Sequence, residues 1–115
     1  MKTKPGLDCC AAFKALSNEN RLKVFEIIRR GRGRGALCKG EPPPPGVPET
    51  AVCVCEILEQ MSVTAPTLSH HLKELRTAGL VDVFSHGQWS YYRVRPGALQ
   101  ALAEYFADEC AAGRR

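Results

Sequence analysis

Two cysteines separated by one valine, in the run Cys53-Val54-Cys55-Glu56, are the densest chemistry in this 115-residue chain. Two thiolates can hold one thiophilic ion when their sulfurs come within about 4 Å, given metal–sulfur bonds near 2.3 Å. Positions i and i+2 of a regular helix point roughly 200° apart, so the pair cannot share an ion inside a continuous helical turn. Either a helix begins after Cys53, or ion binding unwinds its first turn. Four further cysteines, Cys9, Cys10, Cys38 and Cys110, complete the set of six. Cys9 and Cys110 fall on apolar helical faces, where a thiol packs as a small hydrophobe. Cys10 lies off that face, and Cys38 sits in a loop-forming stretch. A second chemistry open to the pair is thiol–disulfide exchange, as a redox sensor or a small oxidoreductase. For an enzyme, however, the sequence offers no nucleophile–base pair, no phosphate loop and no strand–helix alternation of thioredoxin type.

Composition places these thiols in an ordinary globular setting. Apolar residues make up 44%, charged residues 24% and aromatics 7%, enough for one modest core. That excludes a large enzyme with a separate cofactor domain and predicts a single domain over residues 1–115. No run approaches the roughly 18 apolar residues of a membrane span, and the first residues lead into no signal-type apolar stretch. The expectation is a soluble cytoplasmic protein without a membrane partner, its thiols mostly reduced. The net charge of +4 is unevenly spread: residues 1–40 carry +7 and the remainder −3. A mildly basic chain suits nucleic acid as a partner.

The elements that must position the cysteines follow from periodicity. Cys9, Ala12, Phe13 and Leu16 repeat at helical spacing behind Asp8 as N-cap. Ser17 or Asn18 caps a second helix, with Leu22, Phe25 and Ile28 on one face and Gly31 as its stop. Residues 29–50 then break the pattern with Arg-Gly alternation and the four prolines of residues 42–45, predicting a surface loop longer than most helix–helix connections. Thr50 or Glu49 precedes a third helix, residues 54–61, with Val54, Ile57, Leu58 and Met61 on its apolar side. Thr64 caps a fourth, with Pro66 in its first turn, Leu68, Leu72 and Leu75 facing inward, and Gly79 as stop. Residues 80–85 and 88–94 are rich in β-branched and aromatic types and flank His86-Gly87 as a hairpin turn. The last helix, residues 96–112, is apolar nearly all round, with Leu99, Leu102, Phe106 and Cys110 on one face and Tyr105 among its other apolar residues. Such a helix in a small protein needs a second surface to bury against. A homodimer built on Phe13, Leu16, Leu99, Leu102, Tyr105 and Phe106 is therefore expected.

Two short helices, a tight link and a hairpin make a winged helix-turn-helix, mostly α with a β-hairpin and a helical dimer interface. In such a unit the second helix enters the major groove with its N-terminal residues at the base edges. Its outward residues here are read as Thr64, Ala65, Thr67, Ser69, His70 and His71, hydroxyls and imidazoles suited to phosphates and base acceptors. Lys73 and Arg76 add charge further along, and Arg93 adds it beside the wing. The same order of elements also serves some protein-interaction modules.

The run LSHHLKELRTAGLVDVFSHGQWSYYRV, residues 68–94, resembles the recognition helix and wing of the ArsR/SmtB family of metal-sensing repressors, of the arsenical-resistance operon type. FKALSNENRLKVFEII, residues 13–28, is similar to that family's second helix and its entry. The resemblance implies a dimeric repressor on an inverted-repeat operator, released by an inducer. CVC motifs in the family bind arsenite or antimonite, often with a third cysteine three residues on, a position held here by Leu58. Relatives that sense cadmium or lead pair the motif with N-terminal cysteines of the other subunit, which makes Cys9 and Cys10, Cys10 above all, the implied donors beside Cys38. The family's zinc site on the last helix is ruled out, because residues 96–112 contain no histidine. Sulfur donors then dominate, favouring As(III), Sb(III), Cd(II) or Pb(II) over hard ions. Two departures stand out: the loop of residues 31–49 looks like an insertion, and the wing tip, residues 85–88, lacks the basic residue often found there.

Overall fold

The computed structural model describes residues 7–31 and 44–113, with side chains as far as residue 107. Its elements are α1 (Cys9–Leu16), α2 (Glu19–Arg30), β1 (Val52–Cys53), α3 (Val54–Glu59), α4 (Ala65–Thr77), β2 (Val81–His86), β3 (Trp89–Val94) and α5 (Ala98–Gly113). Helix starts follow side-chain oxygens. Asp8 accepts from the amides of Cys10 and Ala11 at 3.0 and 3.3 Å, and Asn18 from that of Arg21 at 2.9 Å. Thr64 accepts from the Thr67 amide at 3.3 Å. Each such cap is worth about 1 kcal/mol to its helix. At the far end of α4, Gly79 takes φ +83°. The Leu80 amide then reaches back to the Leu75 carbonyl, and the Gly79 amide to that of Arg76, each at 3.0 Å. This reciprocal closure needs a left-handed residue, which glycine adopts without penalty. It turns Leu80 and Val81, both fully buried, into the core.

The core joins all five described helices and one face of the sheet. Ala12, Val24, Phe25, Ile28, Ile57, Leu68, Leu72, Leu75 and Leu80 are its centre. The inward set on α4 is as read from the pattern. On α2 the face is rotated: Val24, Phe25, Ile27 and Ile28 are buried, and Leu22 is 42% exposed rather than packed beside them. Helix α2 also runs through Arg29 and Arg30, so the loop opens at Gly31 and not at residue 29. Residues 32–43, with Cys38, lie outside the described residues. Its described remainder closes in turns, Val47 donating to the Pro44 carbonyl and Ala51 to that of Pro48.

Three further expectations are corrected. The third helix starts at Val54 as read, with Cys53 directly before it as N-cap and Thr50 and Glu49 further upstream, but ends at Glu59 rather than residue 61. Extended backbone before it forms β1, which pairs antiparallel with β3 and makes the sheet order β1-β3-β2. The hairpin turn is Gly87-Gln88, one residue later than read, because glycine takes the first loop position at φ +61° and His86 pairs with Trp89. Finally, Leu102 is a core residue of the single chain. Ala98, Ala101 and Leu102 form the buried stripe of α5, while Leu99, Tyr105 and Phe106 are 42%, 48% and 53% exposed.

Those exposed rings are not isolated. Phe13 of α1 meets Tyr105 edge-on and Phe106 at a tilt, centroids 5.5 Å apart in each case. The α1–α5 surface is thus a continuous aromatic patch with half-buried Phe13 and Leu16 at its base. Leu102→Ala should lower unfolding free energy by roughly 2 kcal/mol or more, as a cavity in a packed core does. Phe106→Ala, compared in the monomeric state, should cost no more than about 1 kcal/mol. Urea unfolding measures both, and equal losses would contradict this division of α5.

Candidate nucleic-acid interface and thiol site

Helix α4 presents one polar side to solvent. Thr64, Ala65, Thr67, Ser69, His70, Lys73 and Arg76 are all exposed, and Leu68, Leu72 and Leu75 hold the opposite face in the core. The Thr64 hydroxyl is occupied locally: it accepts from the Thr67 amide and donates to the Thr67 hydroxyl at 3.0 Å. Thr67 therefore keeps its own proton to donate outward. Hydroxyl and imidazole donors near the helix start, with two cations behind them, match the acceptors of phosphates and of base edges.

One residue read as part of this face is elsewhere. His71 is only 6% exposed, because it follows Leu68 by three positions and so falls on the apolar stripe of the helix. Burial lowers its pKa, helped by the positive charges of Arg21 and His70, and its Nδ1 has no hydrogen-bond partner among the described residues. It stays neutral and inward. Arg93 is engaged within the wing: its guanidinium lies 5.1 Å above the Phe84 ring and 3.5 Å from the Asp82 carboxylate. Asp82 also accepts from Arg95 at 3.2 Å. Neighbouring on β3, Tyr92 has its pKa raised by burial, an effect that the Arg76 charge opposes.

The thiol pair sits where strand turns into helix. Cys53 is the last residue of β1 and the N-cap of α3, at φ −70° and ψ 142°, and its side chain makes no cap hydrogen bond. Cys55 is the second residue of α3. With one cysteine extended and the other helical, the Cys55 thiol donates to the Cys53 sulfur at 3.1 Å. Of the two sequence alternatives, the helix beginning after Cys53 is the one found. Cys53 is buried and Cys55 half-buried, in a cluster with Ala51 and Tyr91 that Val47, Phe84 and Trp89 pack against. Neither β1 nor this aromatic lining was anticipated. A two-residue strand is too short for periodicity to mark, although the alternation within residues 89–94 does set Tyr91 and Tyr92 on opposite faces.

Of the other described cysteines, Cys9 and Cys10 do not join the pair within one chain. Cys9 is half-buried in the first turn of α1, packed against the core, and Cys10 is exposed beside it. Among the described residues no group of three His, Cys, Asp or Glu side chains is gathered to hold a metal ion. The side chain of Cys110, like Cys38, lies outside the described residues.

Burial of His71 has a pH consequence. Its folded pKa lies below the unfolded value of about 6.5, so below that pH the unfolded chain binds the proton that the folded chain resists. The contribution of His71 to stability is therefore complete above about pH 7 and is lost as pH falls from about 6.5 through the lower folded pKa. His71→Leu should flatten this part of the pH dependence in urea unfolding. An unchanged slope in a folded variant would contradict the inward, neutral placement.

Residues 50–83, which span α3 and the whole of α4, match the family described as bacterial regulatory protein, arsR family. The arsenical resistance operon repressor of Bacillus subtilis is 35% identical over 78% of this chain and 69% of its own length. An arsenic resistance transcriptional regulator of Pseudomonas putida is 31% identical over 76% of this chain, which spans only 55% of that protein. A cadmium resistance regulator of Listeria innocua is 32% identical over 80% of this chain and 62% of its own. Among solved structures, the homodimeric winged helix-turn-helix DNA-binding domain of a Mycobacterium bovis protein superposes with a TM-score of 0.58 at 25% identity, covering 88% of this chain and 79% of that one. No helix among the described residues is long and apolar enough to cross a membrane. Similarity over most of the chain, and not the helix-turn-helix alone, places this protein in the arsR family of bacterial regulatory proteins.

Proposed function

We propose that this chain is a homodimeric cytoplasmic repressor that binds an inverted-repeat operator through α4 and releases it when trivalent arsenic is held by Cys53 and Cys55. The observation that carries the reading is the 3.1 Å separation of the two sulfurs, one element before the DNA-facing helix. Two bonds of about 2.3 Å would meet across that gap at roughly 85°, so one soft ion reaches both without rearranging the backbone. Arsenite would exchange two of its hydroxyl groups for the two thiol sulfurs, each As–O bond replaced by As–S with release of one water. No electrons are transferred. Antimonite has the same chemistry. A third sulfur comes from outside this cluster, from the partner subunit's Cys10 or Cys9, or from Cys38.

The dimer reading rests on exposed Leu99, Tyr105 and Phe106 beside half-buried Phe13 and Leu16, a patch that a second copy would cover. Thr67, Ser69 and His70 read bases or phosphates, with Lys73 and Arg76 on the backbone. A second reading keeps this fold and takes cadmium or lead as inducer. It is favoured by the same thiols and by the likeness to a cadmium resistance regulator.

The deciding experiment is an anaerobic titration of the reduced protein on labelled operator with arsenite, antimonite, cadmium, lead and zinc, followed by anisotropy. His70→Ala should weaken operator binding by about 1–3 kcal/mol while leaving the dimer intact. Cys53→Ser and Cys55→Ser should bind DNA as wild type yet resist arsenite, and Cys10→Ser should respond weakly. Full release of Cys53→Ser by arsenite would overturn the assignment of the inducer site. Release by cadmium or lead, and not by arsenite, would favour the second reading.

A further inference from the structure

The thiol pair is packed on the wing rather than on the DNA-facing helix. Cys53 stands opposite Tyr91 in the β1–β3 ladder. The buried cluster of Ala51, Cys53 and Tyr91, with Val47, Cys55, Phe84 and Trp89 against it, contains no residue of α4. The inward side chains of α4 belong to the main core on the other side of the sheet, together with Tyr92. Successive residues of β3 thus belong to different clusters, Tyr91 to that of the two cysteines and Tyr92 to that of the helices.

We infer that Tyr91 is the positioning residue through which occupancy of the Cys53–Cys55 pair reaches DNA, by displacing the β2–β3 wing. This rests on the thiol-inducer reading above and adds the route. An arsenic atom and its remaining ligand must be accommodated where Cys53 and Tyr91 are 1% and 7% exposed. A close-packed interior does not absorb an added atom without moving a neighbour. Helix α4 is held at both ends, by the Thr64 cap and the Gly79 closure, and along its length by Leu68, Leu72 and Leu75. The hairpin is held at its base, and its tip, residues 85–88, is exposed. The softer element yields. Phe84, which moves with the cluster, carries the Arg93 guanidinium above its ring, so displacement also redirects wing charge.

The test uses the reduced full chain with arsenite as probe, reading sulfur–arsenic absorbance and operator anisotropy in parallel. Tyr91→Leu should bind arsenite like wild type, whereas the arsenite-induced loss of operator affinity should shrink on the order of tenfold. Tyr91→Phe, which keeps the ring, should retain the wild-type response. A Tyr91→Leu protein released as readily as wild type would overturn the route while leaving the inducer site intact. If that variant does not fold, amide exchange on wild type decides. Arsenite should change protection across β2 and β3, and an unchanged wing would overturn the inference equally. An absence of sulfur–arsenic absorbance in wild type would instead refute the inducer reading on which the route rests.

Discussion

The change of backbone from extended at Cys53 to helical at Val54 is the constraint on which the rest of the site depends. In an unbroken helix the two thiols would point apart, and in an unbroken strand they would share a face but stand about 7 Å from each other. Only the junction brings the sulfurs to 3.1 Å. The junction is in turn maintained by pairing: Val52 and Cys53 are tied to Tyr92 and Tyr91 of β3, while α3 is anchored in the core by fully buried Ile57. The hairpin that elsewhere would be read as a DNA-contacting wing is therefore also the wall of the thiol site.

Much of this was legible in the sequence because it obeys strong local rules. Asp8, Asn18 and Thr64 start helices as side-chain acceptors should, and Gly79 ends α4 in the one conformation that suits glycine best. The apolar stripe of Leu68, Leu72 and Leu75 left the polar side of α4 as the exposed one. The same stripe condemned His71, which shares it at helical spacing. Reading His70 and His71 as a pair by composition missed the 100° that separates them on a helix.

What the sequence did not disclose is tertiary in origin. A two-residue strand has no periodicity, and β1 exists only because β3 offers a partner edge. Leu102 and Phe106 are four apart on α5 and equally apolar, yet one is buried in the core while the other meets Phe13 at the surface. Nothing local distinguishes them. The sequence reads Arg93 as charge beside the wing facing DNA, and no local pattern signals that Asp82, across the strand register, and Phe84 engage it. A cross-strand pair of this kind contributes to the hairpin at the expense of charge available to DNA.

Exposed charge and paired thiols are consequently divided between two faces of a small domain. Cations and hydroxyls are exposed along α4, and the paired sulfurs are enclosed by apolar and aromatic side chains behind the wing. X-ray absorption at the arsenic edge, on reduced protein loaded with one arsenite per chain, tests most directly whether those sulfurs are the ligands. At least two sulfur neighbours per arsenic are expected, reduced by one when Cys55 is replaced by serine. A first shell of oxygen alone, or a sulfur count indifferent to Cys55, would contradict it.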